Sequence, residues 1–327
     1  MEGKKLLVVV VVAFMLVKAG AIEKHFSLES HGGYAGGSLS EIIYQPKDPS
    51  KKISLLEWDR NIFFIGAGAH IDFGKLVIQV GFDYGLSDSC GKMADSDWLN
   101  ISNYEMKTTY SIGDSEALKN YQTELGLYFD LPLEKSLSIL PGISVQYAYD
   151  SFSRGKDARG WYGQSEWSSD GKNHNWYDEQ AKKFPYAETD SNGKEHRYRL
   201  GQIDFSRHSM WLWAGFKTNI HVDRMDFSIG LFASPFAWFQ AKDIHYGSGG
   251  TSVIHLVQKT WFDSLKFTAD FSYRFNQRLS LVVNGSFMTT QESRGDLYDD
   301  WHYNGRQETG TKTVGYSVKT GVRVNIF

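Results

Sequence analysis

Residues 65–86 read IGAGAHIDFGKLVIQVGFDYGL, and apolar residues occupy alternate positions on both sides of Gly74. Alternation with a period of two is typical of β-strands that have one apolar and one polar face. A glycine between two such runs suits a short turn, so the stretch predicts an antiparallel hairpin. The same alternation recurs along the chain, at 227–233, 267–275 and 279–287.

Two classes of protein give this pattern. A soluble sandwich alternates because one face meets water, and a membrane barrel alternates because one face meets lipid and the other a polar interior. Here the runs are long and most carry no charge on the apolar side. Aromatic residues also cluster near predicted strand ends, as a girdle at the lipid interface requires; they include Trp211, Trp213, Phe236 and Trp238. The pattern therefore favours a membrane barrel.

The first 21 residues have the features of a secretory signal peptide. Lys4 and Lys5 precede an apolar run at 6–17, and the small residues 19–21 follow. That run is too short to cross a bilayer, which needs about 20 residues. We predict cleavage after Ala21 and an exported domain over residues 22–327.

Composition argues against several functions. The formal net charge of −3 gives no indication of a nucleic-acid partner. The single cysteine, Cys90, excludes an internal disulfide framework. A catalytic metal is not expected, because the sequence lacks a His-x-x-x-His motif or a cysteine cluster. A serine triad is also disfavoured, since no nucleophile elbow is present.

Ten strands are predicted, and an even number allows the sheet to close into an antiparallel transmembrane β-barrel of the all-β class. Short connections at 74, 133–136, 223 and 276–277 alternate with long ones at 89–117, 156–196, 243–252 and 293–311. Outer-membrane barrels have short turns inside and long loops outside. We therefore expect the long loops to be extracellular. The predicted strands are 26–45, 53–72, 75–88, 118–131, 136–153, 197–220, 223–242, 253–275, 278–292 and 312–327.

Two pairs of polar residues are candidates for catalysis. Asp95 and Asp97 stand in MADSDW, within the predicted loop after the third strand, and Asp243 and His245 stand in KDIHY at the outer end of the seventh. Residues i and i+2 of a strand point to the same side, so Asp243 can orient the His245 imidazole and raise its pKa. Either pair alone is more often a loop or surface feature. Together, in a barrel of this length, they predict a catalytic site.

With these motifs the chain resembles the omptin family of outer-membrane aspartate–histidine endoproteases. The similarity runs through the predicted mature chain, including FSLESHGGYAGGSLSEIIYQP at 26–46 and RGDLYDDW at 294–301. The resemblance implies a ten-stranded barrel that cleaves peptides or proteins at its extracellular end. It also implies a monomer.

The resemblance assigns Asp95 and Asp97 to one catalytic couple and Asp243 and His245 to the other. A water between them attacks the scissile carbonyl, and His245, oriented by Asp243, takes its proton. Asp95 and Asp97 either hold the water or share a proton that stabilises the tetrahedral intermediate. The sequence leaves both roles open.

Omptins commonly cut beside basic residues, and acids at the pocket floor attract them. Glu41 matches one such acid, whereas Ala241 stands at the position of the other. This implies a weakened preference for Arg or Lys, and an inward Lys242 would weaken it further.

Omptins also bind lipopolysaccharide through the outer barrel wall. Lys259 matches one lipid-binding group, while Tyr147 and Tyr149 replace charged ones. We expect lipopolysaccharide or a similar outer-leaflet lipid to be required, and no other cofactor.

Two further functions compete with proteolysis. Long outer loops that carry Trp161, Trp167, Trp176 and Trp301 suit an adhesin or surface-binding protein. A porin is less favoured, because side chains can fill the narrow lumen of a ten-stranded barrel.

Overall fold

A computed structural model describes most of the chain and consists of strands, turns and short irregular segments. The described residues are 25–46, 48–98, 107, 109–155, 159–162, 188–189, 195–196, 202–247, 250–299 and 302–326. The predicted signal peptide and most of the predicted loop 156–196 lie outside them. Within the described ranges, no helix has the length and apolar character needed to cross a membrane.

The strands are numbered in chain order. They are β1 His25–Gln45, β2 Asp48–Asp59, β3 Ile62–Phe73, β4 Leu76–Gly85, β5 Ser89–Asp97, β6 Thr109–Phe129, β7 Leu131–Glu134, β8 Leu137–Arg154, β9 Arg159–Tyr162, β10 Glu188–Thr189, β11 Glu195–His196, β12 Gln202–Val222, β13 Met225–Gly247, β14 Gly250–Thr260, β15 Ser264–Arg274, β16 Leu279–Asp299 and β17 His302–Asn325.

The barrel is a closed antiparallel ring of ten strands, some of which consist of two of the numbered segments. The first and last strands close it, since β1 pairs with β17 from Ser27 opposite Asn325 to Ile43 opposite Thr309. Three barrel strands are built from two consecutive segments each: β2 and β3 both pair with β1, β4 and β5 with β6, and β14 and β15 with β13. With β1, β6, β8, β12, β13, β16 and β17 these make the ten. The prediction of a ten-stranded barrel is confirmed.

Short turns join the strands at one end of the barrel, which we call the turn end. Gly74 and Asp223 have positive φ angles of 74° and 51° there. Tight hairpins need such angles, because they match the twist of the flanking strands. The opposite end, where β1, β5, β8 and β13 reach Gln45, Asp97, Arg154 and Gly247, is called the far end.

Three of the four segments predicted as long far-end loops consist largely of strand, so their predicted bounds were wrong. Much of 89–117 is strand in β5 and β6, and β13 and β14 leave only 248–249 between them. Likewise β16 and β17 extend to Asp299 and from His302. These segments carry polar residues on both faces, because their outer face need not be apolar and their inner face mixes polar with apolar side chains. They therefore lack the alternation by which a strand is recognised in sequence.

An apolar band covers the outside of the turn-end half. Large hydrophobic side chains are exposed there on many strands, and the band is what a barrel in lipid requires; examples are Phe63, Ile65, Leu127, Ile143, Leu231, Leu265 and Val318. On β12 the exposed large apolar residues begin only at Phe216, well below the far end. The far-end half therefore stands beyond the lipid-facing band.

Side chains fill the middle of the lumen. Trp58 packs against both Phe152 and Phe205, with ring centroids 5.8 and 5.6 Å away, and the two phenylalanine rings lie 6.4 Å apart. Below them Trp211 and Trp213 stack at 6.3 Å. A polar cavity of about 740 Å³ occupies the turn-end half. These aromatic layers lie between that cavity and the far end, and the part of the lumen beyond them at the far end is called the cleft.

Candidate active site

Asp95 and Asp97 lie on β5, not in a loop as predicted. They point to the same side of the strand, and Asp95 pairs with Leu56 of β2 and with Ser111 of β6. Near its start, β5 has a register shift next to Gly91, whose φ angle is 113°. A Cβ at Gly91 would come within 2.6 Å of the Asp59 Cβ, so glycine is required for this close approach.

Asp243 and His245 form a hydrogen-bonded couple on β13. The His245 Nε2 lies 2.5 Å from the Asp243 Oδ2. The Asp243 side chain is 1% exposed and that of His245 is 36% exposed. The carboxylate is therefore buried beneath an imidazole that still reaches solvent, as a base and its orienting group require.

The two couples act on each other across the cleft. Burial, and then the neighbouring charge of Asp97, raise the pKa of Asp95 to about 7, while the positive charges of Arg154 and His245 oppose the rise. Burial also raises the pKa of Asp97, against a hydrogen bond from Ser54 and the charges of His245 and Arg154. At neutral pH the acid couple is therefore able to hold a proton.

The pKa of His245 is raised overall. Burial alone would lower it, but the hydrogen bond and charge of Asp243, together with the charge of Asp95, favour the protonated ring. The structure therefore brings the four predicted catalytic residues to one end of the lumen. A water held between an acid couple and an imidazole in this arrangement can be activated for attack on a carbonyl.

Glu41 lies on β1, is 3% exposed, and is close enough to Asp243 for the two charges to interact. Burial raises its pKa well above its usual range, the charge of Asp243 adds to the rise, and Arg207 opposes it. Arg207 is 1% exposed and donates to the hydroxyls of Thr311 and Thr313 at 2.9 and 3.0 Å. Thr311 is the cross-strand partner of Glu41, so a buried cation lies beside this acid.

The two residues at 241 and 242 face opposite ways. Ala241 is buried and pairs with Arg207, whereas Lys242 is exposed. Lys242 therefore does not turn toward Glu41, and Arg207 is the cation that opposes that acid.

Lys259 is exposed on β14, opposite Trp238. His208 lies two strands away on β12, and Tyr147 and Tyr149 lie on the next strand, β8. The Tyr147 hydroxyl is 2.7 Å from the His208 Nδ1, and the Tyr149 ring is 4.8 Å from the same imidazole. Lys259 and this aromatic group are thus separate features of the wall.

Sequence reasoning missed two buried cations, Arg154 and Arg207. Arg154 is 2% exposed on β8, and its Nη1 donates to the Ser111 Oγ at 2.7 Å and to the Met93 Sδ at 3.3 Å. The alternating pattern gave no sign of either, because an inward arginine near a strand end looks like any polar lumen residue.

Comparison with known proteins identifies a family and solved structures of similar fold. A sequence model of the Omptin family matches residues 22–323. The solved outer membrane protease OmpT from Escherichia coli is similar at a TM-score of 0.76 and 17% identity, covering 94% of this chain and 99% of that one. The translocator domain of the autotransporter NalP from Neisseria meningitidis matches at 10% identity and a TM-score of 0.29, covering 99% and 94%. No curated protein sequence matches this chain.

Proposed function

The chain belongs to the Omptin family, and from this premise we propose that it is an outer-membrane endopeptidase that cuts peptides or proteins outside the cell. The observation that supports the proposal most is the cleft in which Asp95 and Asp97 share an electrostatic environment with His245. The solved structure that is similar at a TM-score of 0.76 is that of an outer membrane protease, which agrees with this proposal.

In the proposed mechanism, a water attacks the scissile carbonyl carbon while His245 takes one of its protons. Asp243 accepts the hydrogen bond of the imidazole and stabilises its charged form. The pKa of Asp95, raised to about 7, lets the acid couple carry one proton at neutral pH. That proton hydrogen-bonds to the developing oxyanion, as in other carboxylate pairs. His245 then gives its proton to the leaving amine, and no covalent intermediate forms.

Incubating the purified, lipid-reconstituted protein with a quenched fluorescent peptide library tests the activity. Cleavage is expected with lipopolysaccharide present, and no cofactor other than such a lipid is proposed. Lys259 is proposed to contribute to lipid binding, because it is exposed on the barrel wall. If the folded protein cleaves no peptide under any lipid condition, the alternative function of an adhesin or surface-binding protein would be favoured.

The same library is expected to report only a modest preference for Arg or Lys beside the cut. Glu41 would attract a basic side chain, but Arg207 lies next to it and Ala241 supplies no second acid. Ala241→Asp should raise the preference about tenfold, the equivalent of about 1.4 kcal/mol. The reason is that it adds a second acid beside Glu41 and Arg207, whose opposite charges offset each other. Glu41→Gln should abolish the preference, since glutamine keeps the shape but cannot become negatively charged when a basic side chain binds beside it.

Lys242→Ala is the matched control, because Lys242 is exposed and lies on the opposite face of β13 from Asp243. Its cleavage profile should equal that of the unmodified protein. A strong non-basic preference that survives Glu41→Gln would show that other residues select the substrate.

A further inference from the structure

Arg154 is a buried cation in the wall of the cleft that the proposed mechanism does not use. It ends β8, which lies between β6 and β12 in the ring. Its side chain is held at two points, by the Ser111 Oγ at 2.7 Å and the Met93 Sδ at 3.3 Å. The guanidinium is therefore fixed and 2% exposed, not a mobile surface group.

Both contacts of Arg154 belong to the surroundings of Asp95. Ser111 is the cross-strand partner of Asp95, and the side chains of such partners begin about 5 Å apart. Met93 precedes Asp95 by two residues on β5 and so points to the same side. The guanidinium is thus anchored beside the acid couple.

On its other side Arg154 lies near the histidine couple. Ile203 of β12 pairs with Arg154 on one edge and with His245 on the other. Arg154, Ile203 and His245 therefore form a row across three neighbouring strands. The cation stands in the wall that connects the two couples, and its charge acts on Asp95, Asp97 and His245.

We propose that Arg154 is a positioning residue of the cleft, which keeps a negative charge on the Asp95–Asp97 couple, so that the couple holds no more than one proton, and which disfavours a positive charge on His245. The inference rests on the proposed protease function and deepens it. An anchored cation beside two buried acids stabilises their negative form, and a cation near an imidazole destabilises the imidazolium.

The sign of the effect is the same for both couples. Without the positive charge of Arg154, the carboxylates lose a stabilising partner and their pKa rises. The His245 imidazolium loses a repulsive neighbour, so its pKa rises as well. The other charged groups around these residues remain in place: Asp97, Asp243 and His245 around Asp95, and Asp243 and Asp95 around His245. The acid limb of the pH profile, which follows protonation of the base His245, should therefore move to higher pH, and the alkaline limb, which follows loss of the shared proton of the acid couple, should move in the same direction.

The test is the pH dependence of kcat/KM for a peptide that the unmodified protein cleaves, because this profile reports the pKa values of the free enzyme. Arg154→Gln keeps a hydrogen-bond donor but removes the charge. It should move the acid limb upward by about one pH unit or more, the usual effect of one close opposite charge. Arg154→Lys keeps the charge and should leave the limb near its original position.

A lumenal arginine elsewhere supplies the control. Arg323 pairs with Glu29 at 3.0 Å in the turn-end half, and Arg323→Gln should leave the acid limb unchanged. If Arg154→Gln fails to fold, Ser111→Ala removes one anchor of the guanidinium and should shift the limb in the same direction by less.

An acid limb that stays in place in folded Arg154→Gln, even at a reduced rate, would overturn the inference while leaving the protease function intact. If Arg154→Gln does not fold, an unshifted limb in Ser111→Ala would overturn it equally. A lipid-reconstituted, folded, unmodified protein that cleaves no peptide would instead overturn the protease function and this inference with it.

Discussion

Replacing His245 with alanine should lower kcat/KM for peptide cleavage by about 10²–10⁴-fold, the usual loss when a general base is removed. His245 is the group that takes the proton of the attacking water in the proposed mechanism. Its imidazole lies beyond the lipid-facing band. The barrel around it is held together by backbone hydrogen bonds between β13 and its neighbours β12 and β14. The barrel should therefore stay folded, which heat-modifiable migration on a gel can verify.

A second histidine–carboxylate pair provides the control for this loss. His221 is hydrogen-bonded to Asp226 at the turn end, on the far side of the aromatic layers. His221→Ala should leave the cleavage rate near that of the unmodified protein. Full activity in folded His245→Ala would exclude this residue as the base.

Replacing Asp97 with asparagine should also lower kcat/KM by at least about 10²-fold. Asparagine has the same shape, so the loss reports charge and not packing. Asp97 is the neighbouring acid that helps to raise the pKa of Asp95 to about 7, after burial. Without it the pKa of Asp95 falls. Asp95 then gives up its proton at neutral pH, and the oxyanion loses a hydrogen-bond donor.

Asp83→Asn is the matched control for the acid couple. The Asp83 Oδ1 lies 2.6 Å from the His31 Nε2, and both residues line the turn-end cavity. Asp83→Asn therefore makes the same chemical change in the lumen, away from the cleft. Its kinetics should match those of the unmodified protein. A wild-type rate in folded Asp97→Asn would remove the acid couple from the mechanism.

The sequence predicted the strands of the turn-end half because lipid imposes a strict rule there. The outward positions of 65–86 must be apolar, and several of them, such as Ile65 and Phe82, are exposed on the barrel wall. In the far-end half, the outer face of a strand need not be apolar, and the inner face mixes polar with apolar side chains, such as Asp95 and Met93 of β5. The stretch SCGKMADSD of β5 therefore read as a loop, although it pairs with two strands.

The pairing of Asp243 with His245 could be predicted from spacing alone, because i and i+2 share a side of a strand. The neighbours of the couples could not. Arg154 reaches Asp95 and His245 only through the register of β6, β8, β12 and β13, which joins residues far apart in the chain. Arg207 likewise approaches Glu41 through Thr311 of β17. Long-range register of this kind leaves no local pattern in a sequence.

The central claim, an endopeptidase with its cleft outside the cell, is tested most directly on intact cells. A quenched peptide coupled to a dextran too large to cross the outer membrane would be added to cells that display the protein or its His245→Ala variant. Fluorescence should rise only with the unmodified protein. Equal fluorescence from both cell types, or cleavage that appears only after the cells are broken, would contradict the account.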